Sequence, residues 1–185
     1  MPFAAKNFEQ LLGTPGFSEQ LLKNHFKLYE GYVNNTNSLI EKLKTNKDVY
    51  ELAELRRRFG WEFNGMRLHE LYFGNISKLP VSMNSQLALA LTSQFGSFEN
   101  WLSDFVAAAK ARGIGWVVLA HDPVSKSLYD IWINEHDVGH LAGAKPLLVL
   151  DVFEHAFMLD YGLNRAAYID AFMKAVDWKA VEGRF

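Results

Sequence analysis

The sequence predicts an α+β protein, with an N-terminal α-helical hairpin followed by a C-terminal domain that has a three-stranded antiparallel sheet flanked by helices. Three observations indicate this fold. Apolar residues at three- and four-residue spacing fill the first part of the chain, short β-branched apolar runs follow residue 115, and helical spacing then returns. Because the helical and strand patterns are grouped and do not alternate, they favour α+β over α/β.

The first predicted helix begins after Ser18, a favourable N-cap residue, and ends near residue 46. Its apolar stripe carries His25 and Tyr32 among leucine and valine residues. Glycine and proline residues ahead of it predict an irregular arm over residues 1–16.

The second predicted helix covers residues 49–73 and carries His69 on its apolar side. Gly60 and Gly65 interrupt the pattern and predict one or two breaks or close helix contacts. The loop over residues 74–80 is the best candidate for a domain boundary.

The boundary divides the chain into an N-terminal helical hairpin domain, residues 1–80, and a C-terminal α+β domain, residues 81–185. We expect the functional site to lie between them. The second domain is predicted to contain two helices, then three strands in a meander, then two further helices and a frayed end after Trp178. The helices cover 84–95, 97–112, 156–161 and 165–176, and the strands cover 116–120, 127–133 and 146–150.

Composition narrows the class of protein and the kind of site. The chain has 185 residues, 49% hydrophobic and 22% charged, with a net charge of -2, so nothing favours nucleic acid or an anionic membrane. No apolar stretch is long enough to span a bilayer, and we expect a cytoplasmic protein. Without cysteine there are no disulfides, thiolate sites or iron–sulfur clusters. A metal would be held by His, Asp or Glu, which suits Mn, Fe or Zn.

Asp151 and His155 stand four residues apart, directly after the apolar run at 147–150. Two such polar side chains at the end of a buried strand are costly unless they share a partner, and a metal ion is the simplest one. Together with His25 and His69, which lie on inward helix faces, they form a candidate His₃Asp set for Fe or Mn.

The three other histidines lie in predicted turns or loops. His121 precedes a turn, and His140 has glycine neighbours, so both are expected to be ordinary loop residues. His136 lies in the loop before the third strand, and its position alone would not single it out.

Several stretches, in the same order along nearly the whole chain, resemble the iron/manganese superoxide dismutase family. The C-terminal stretch from Asp151 to Phe157 looks like the family signature D-x-W-E-H-A-Y, with Phe in place of Trp. The other stretches that carry the resemblance are Asn24-His25-Phe26, Phe63-Asn64-Gly65, His69 to Phe73, Gln94 to Phe98, Gly113 to Trp116, Arg165 and Tyr168.

The resemblance implies a superoxide dismutase that holds one Fe or Mn ion per subunit through His25, His69, Asp151 and His155. It implies that the ion alternates between its trivalent and divalent states while superoxide is converted to O₂ and H₂O₂. The protein then sets the potential of the ion and delivers protons.

The resemblance also assigns two catalytic residues. Tyr32 takes the place of the gateway tyrosine; it is seven residues from His25, nearly two helical turns, so both can face the metal. The family places a Gln, or sometimes a His, as hydrogen-bond donor to the solvent on the metal. Here Gly65 stands where many iron enzymes have that Gln, and His136 falls at the alternative position.

Further members of the site follow by position. Trp116 matches a family tryptophan, while Phe73 and Phe153 replace two others and keep aromatic bulk around the metal. Glu154 resembles the glutamate that bridges to the ligand histidine of a second subunit, which implies a homodimer, with a tetramer possible. An ordinary exposed glutamate is the alternative.

The substrate entrance departs from the family pattern. The family has a histidine where this chain has Leu28 or Tyr29, and a tyrosine, its hydrogen-bond partner, where this chain has Met158. Losing both partners together leaves no polar group stranded. These changes keep open an alternative: a metal-binding protein of the same fold with weak or peroxidase-like activity.

Overall fold

Helices occupy both ends of the chain and strands the middle, which confirms the α+β prediction. The computed structural model describes residues 2–83 and 86–185, so the start of the helix predicted over 84–95 lies outside the described residues. The elements in chain order are α1 (Glu19–Thr45), α2 (Val49–Phe73), α3 (Gln86–Phe95), α4 (Phe98–Lys110), β1 (Gly115–Asp122), β2 (Ser127–Asn134), β3 (Lys145–Asp151), α5 (Met158–Tyr161), α6 (Arg165–Ala175) and α7 (Trp178–Glu182), with 3₁₀ turns at Glu9–Leu11 and Glu154–Ala156.

Helices α1 and α2 form the predicted hairpin, and both begin at side-chain caps. Ser18 accepts a hydrogen bond from the Leu21 amide, and Asp48 caps α2 in the same way. Helix α2 runs unbroken through both glycines, so the predicted break is wrong and the predicted close contact is confirmed at Gly65. A Cβ atom there would lie only 2.5 Å from the Tyr32 ring.

The N-terminal arm is attached to the hairpin at several points, although only its 3₁₀ turn is regular. The backbone of Phe3 and the side-chain amide of Asn37 exchange hydrogen bonds of 2.8 and 2.9 Å. Phe8 is buried, with its ring centroid 4.8 Å from that of Phe73. The arm therefore covers the back of the residues that pack around His25.

The sheet has the strand order β2-β1-β3, with both pairs antiparallel. The predicted meander is wrong, because β3 pairs with β1 and leaves β2 at an edge. All but the last residue of β1 are buried, as suits a central strand, whereas β2 carries exposed residues such as Tyr129. Buried strands favour the centre of a sheet and partly polar strands favour its edge.

The pairing of β1 with β3 brings Trp116 opposite Asp151. Paired residues project to the same face of a sheet, so the indole and the carboxylate lie side by side. Helix α2 packs against β3. The C-terminal end of β3 is therefore where the helical hairpin and the sheet meet.

The C-terminus is ordered by packing, so the predicted frayed end after Trp178 is wrong. Trp178 and Val181 of α7 are buried. Arg184 donates hydrogen bonds to the carbonyl groups of Leu147 and Leu71, at 2.6 and 3.2 Å, which ties the end of the chain to β3 and α2. Within the described part of the chain, no helix is long and apolar enough to cross a membrane.

Candidate metal centre

Four side chains converge where α1, α2 and the end of β3 meet. They are His25, His69, Asp151 and His155, and one nitrogen or oxygen atom from each lies within 4.8 Å of all the others. The Asp151 Oδ2 atom is 3.2, 3.8 and 3.1 Å from the Nε2 atoms of His25, His69 and His155 respectively. The described residues thus bring together the predicted His₃Asp set.

Local structure orients the two C-terminal members. Asp151 ends β3, and its Oδ1 atom accepts a hydrogen bond of 2.9 Å from the Phe153 amide. This side-chain turn redirects the chain into the 3₁₀ turn, which carries His155 back towards the other Asp151 oxygen. The Tyr168 hydroxyl donates to the Asp151 carbonyl at 2.7 Å and fixes the strand end from α6.

His69 is oriented by its own helix. Its Nδ1 atom lies 2.6 Å from the Gly65 carbonyl oxygen, which can only accept, so Nδ1 carries the proton. The Nε2 atom is then unprotonated and faces the cluster. Fixing one imidazole nitrogen to a carbonyl while the other is free to bind is the usual arrangement of a metal-ligating histidine.

The cluster has the properties of a cation site. The Nε2 atoms of His25 and His69 are buried, and apart from the Asp151 carboxylate that they face they have no hydrogen-bond partner among the described residues. Burial lowers the pKa of both imidazoles, and that of His69 falls well below its usual value. Burial opposes ionisation of Asp151, but His155 and His25 outweigh it and hold the pKa of the carboxyl far below its usual range. Neutral imidazoles and an ionised carboxylate are the forms that bind metals.

His136 is buried beside the cluster and has a partner at each ring nitrogen. The Trp116 indole N–H donates to Nδ1 at 3.0 Å, so Nδ1 must be unprotonated. The proton of the neutral ring is then on Nε2, which donates to the Tyr32 hydroxyl at 2.7 Å. Burial lowers the pKa of His136 to about 4, so the ring is neutral at pH 7.

Tyr32 stands between His136 and the metal-facing histidines. Its ring stacks on His69 with the centroids 5.1 Å apart, and it fills the space that the missing Gly65 side chain leaves. Since its oxygen accepts from His136, its own proton is free to be donated elsewhere. Burial raises the pKa of the phenol, with the charge of Asp151 adding to the effect, so the proton is retained.

Aromatic rings pack against the histidines of the cluster. The Trp116 ring is 4.9 Å from His69, Phe73 is 4.9 Å from His25, and Phe153 stacks on His155 at 5.1 Å. Apart from the hydrogen bond that Trp116 donates to His136, these three rings contribute packing around the histidines.

Tyr29 stands at the position where the resemblance expected an entrance residue, yet its side chain is buried. Its hydroxyl accepts from the Lys6 amide and donates to a Glu70 carboxylate oxygen, both at 3.0 Å. Burial raises its pKa to about 12. Leu28 and Met158, by contrast, are 36% and 47% exposed. Tyr29 therefore serves the N-terminal arm.

An open, mostly apolar hollow of about 490 Å³ lies on the outer side of His155. Glu154 is exposed at its edge, and His155 is only partly buried. The residues that line it are Leu21, Asn24, Glu154, His155, Met158 and Leu159.

Two histidines test the loop predictions. His121 is in β1, not in a turn; it is 8% exposed and its ring packs 4.8 Å from Phe185, so the expectation of a solvated loop residue is wrong. The ordered C-terminus, which the sequence pattern did not indicate, covers it. His140 is in an exposed loop as expected, and its Nε2 atom lies 2.9 Å from the His136 carbonyl oxygen.

Sequence reasoning missed Trp61. Its ring is 4.5 Å from His136 and 5.6 Å from Tyr32. A half-buried tryptophan one turn before Gly65 on α2 was the available signal, but nothing in the spacing linked it to a loop residue 75 positions later.

Three histidines and one carboxylate, brought together between a helical hairpin and a small antiparallel sheet, form a donor set that suits a single Fe, Mn or Zn ion, and so define a candidate metalloprotein. Residues 83–184 match the C-terminal domain of the iron/manganese superoxide dismutases. The chain belongs to the iron/manganese superoxide dismutase family.

Curated superoxide dismutases are similar to this chain along nearly its full length. The chain is 38% identical to a superoxide dismutase (Mn) of Haloarcula marismortui, over 91% of this chain and 85% of the relative. It is 36% identical to a superoxide dismutase (Fe) of Cupriavidus metallidurans, over 92% and 88%. It is 32% identical to a superoxide dismutase (Mn/Fe) of Aeropyrum pernix, over 92% and 83%. Relatives of both metal types are thus similar to this chain.

Proposed function

We propose that this protein is a superoxide dismutase that uses one Fe or Mn ion per subunit, and so an antioxidant oxidoreductase. The proposal rests on one observation: His25, His69, Asp151 and His155 each present a donor atom, and these four atoms lie within 4.8 Å of one another. The hairpin domain, residues 1–80, supplies two of these side chains, and the α+β domain, residues 81–185, supplies the other two.

An ion held by His25, His69, Asp151 and His155, with their single negative charge, would supply one-electron redox chemistry between a trivalent and a divalent state, by which two superoxide anions and two protons would be converted to O₂ and H₂O₂. The rings of Phe73 and Trp116 pack against His25 and His69, which are buried away from bulk water.

Tyr32 and His136 are the proposed catalytic pair. His136 donates to the Tyr32 oxygen, which leaves the phenol proton free to be donated towards the metal side. Because the pKa of Tyr32 is raised, it acts as a neutral donor and does not bring a second negative charge near Asp151. The pair thus offers a proton at the place where the reduced oxygen species needs one.

A homodimer is part of the proposal, with Glu154 as the bridge to the second subunit. Glu154 is exposed at the edge of the apolar hollow beside His155, where a second copy would cover both. Replacement of Glu154 by Ala should weaken self-association in sedimentation velocity; an unchanged dimer would leave Glu154 an ordinary surface residue. The cytoplasmic location stays a prediction.

The comparisons do not favour the alternative of a same-fold protein with weak or peroxidase-like activity. The relatives of both metal types are named as superoxide dismutases. The exposed Met158 and Leu28, together with the buried Tyr29, describe an altered entrance and leave the His₃Asp set complete.

The deciding experiment compares superoxide removal by apo, Fe-loaded and Mn-loaded protein with metal content measured in each. Fast removal is expected with at least one metal and none without; near-zero rates in both loaded forms would end the dismutase proposal. His155→Ala should lose bound metal, while the control His140→Ala, in an exposed loop, should retain it. Full metal content in His155→Ala would show that the ligand assignment is wrong.

A further inference from the structure

His136 is held in place more firmly than its loop position would suggest. Its neighbours Glu135 and Asp137 are exposed, whereas His136 is fully buried. Trp116 and Tyr32 occupy its two ring nitrogens. Two hydrogen bonds at the edge of the imidazole leave the faces of the ring to be held by packing.

Trp61 of α2 lies nearer to the His136 ring than any other aromatic side chain among the described residues. The centroids are 4.5 Å apart with an interplanar angle of 72°, an edge-to-face arrangement. Tyr32 and Phe153 follow at 4.9 and 5.0 Å. Phe153 stacks on the imidazole at an interplanar angle of 30°, whereas Trp61 packs against it edge to face, so the two rings restrict its motion in different directions.

Trp61 is itself fixed on two sides. Its indole N–H donates to the Glu135 carboxylate at 3.0 Å. The guanidinium carbon of Arg58 lies 3.8 Å from its ring centroid, a cation–π contact, while the same guanidinium pairs with Glu62 at 3.0 Å. A half-buried tryptophan with both contacts has little freedom to move.

The bond to Glu135 also reaches the backbone that carries His136. Glu135 has a φ of 49°, in the left-handed region that side-chain-bearing residues rarely adopt. Its amide bonds the Ile114 carbonyl at 3.3 Å, and its carboxylate bonds Trp61. Trp61 therefore holds both the His136 ring and the turn directly before it.

We propose that Trp61 is a positioning residue for this site: anchored by Glu135 and Arg58, it fixes the His136 ring so that Nε2 stays on the Tyr32 hydroxyl. The inference rests on the proposed function, since the orientation of His136 matters to the reaction only with a metal beside it. Within the described part of the chain, the aromatic rings in contact with Trp61 are those of Tyr32 and His136, so its replacement should act through them.

The test uses metal-loaded Trp61→Leu, which removes the aromatic ring and the N–H, and Trp61→Phe, which removes the N–H alone. Phe59→Leu is the matched control, because Phe59 is a half-buried aromatic residue on the same helix that stacks on Phe63. Metal content, the midpoint potential of the bound ion and a crystal structure are measured for each. Substitution of a residue that contacts the metal ligands but does not bind the metal typically changes metal affinity or activity by about 10–100-fold.

We expect Trp61→Leu to keep its metal but shift the equilibrium between the two oxidation states by about tenfold, which is 59 mV for one electron. The His136 Nε2 to Tyr32 oxygen distance should lengthen beyond hydrogen-bond range. Trp61→Phe should fall between this variant and the control. Potentials and distances in both Trp61 variants equal to those of Phe59→Leu would overturn the proposal.

Two further features keep the test decisive. Should Trp61→Leu not fold, Glu135→Ala removes the hydrogen-bonded anchor of Trp61 and leaves its ring and the Arg58 contact in place; a smaller lengthening in the same direction is expected, and an unchanged distance would again overturn the proposal. The potential and the distance can be measured whether or not the protein removes superoxide. Failure of the proposed function and failure of the role of Trp61 are therefore separate results.

Discussion

The inner wall of the metal centre and its outer rim differ in how their side chains are held. On the inner wall, His69, Asp151 and His136 are fully buried, and each has a hydrogen bond that fixes its orientation. On the rim, Leu28 and Met158 are partly exposed, and both are apolar. A buried polar group that loses its partner is expensive, whereas an exposed apolar one is not.

This difference explains where the chain keeps the family pattern and where it departs. Changing one inner residue would strand its partners, so the whole set must change together or stay. The rim residues Leu28 and Met158 are apolar, and the Tyr29 hydroxyl has its partners in the N-terminal arm, at Lys6, and in α2, at Glu70. Substitutions should therefore show large effects inside and small ones at the rim.

The largest effect is expected from His136→Ala, which strands the Trp116 N–H and frees Tyr32. Turnover by the metal-loaded protein should fall by about 10–100-fold with the metal retained. His136→Gln should restore much of it, because an amide can accept from Trp116 and donate to Tyr32. Turnover that is the same for the alanine variant and the wild type would return His136 to the class of ordinary loop residues.

Next in size is Gly65→Ala. Its Cβ atom would lie 2.5 Å from the Tyr32 ring, so α1 and α2 must separate or the ring must move, at a cost of about 1–3 kcal/mol. Urea unfolding of the apo protein measures this loss. Gly60→Ala is the control on the same helix, since a Cβ atom there would meet nothing within 4 Å, and it should be neutral or slightly stabilising.

Tyr29→Phe should have a moderate effect on stability and little on metal binding. It removes the hydroxyl that joins the Lys6 amide to Glu70, and about 1 kcal/mol of unfolding free energy should be lost. Thermal unfolding and metal content check the two parts. A large loss of metal would show that Tyr29 belongs to the inner wall after all.

The smallest effect is expected from Met158→Leu, a substitution of one apolar side chain for another at the rim. Its unfolding free energy should remain within about 0.5 kcal/mol of the wild type. The turnover of metal-loaded Met158→Leu should also equal that of the wild type. A loss comparable with that of His136→Ala would mean that the rim is as tightly specified as the inner wall, and the contrast between the two regions would fail.

The sequence predicted the α+β class, the bounds of α1 and α2, and the convergence of the His₃Asp residues, because these follow from periodicity, capping and the family signature. It mispredicted strand order, since a short β1–β2 connection does not reveal whether β3 joins β1 or β2. Burial of His121 by Phe185 and the contact of Trp61 with His136 depend on long-range packing that no local pattern encodes.

The position of Asp151 at the end of β3, far along the chain from the helical hairpin, also has a consequence for how the site forms during folding. His25 and Asp151 are separated by 126 positions, 151 minus 25, so the binding site closes only when distant parts of the chain meet. Contacts of such separation form late and slowly, and a chain made from its N-terminus exposes His25 and His69 long before Asp151. The hairpin alone offers two histidines and no carboxylate, so the complete donor set exists only after the hairpin and the sheet have met.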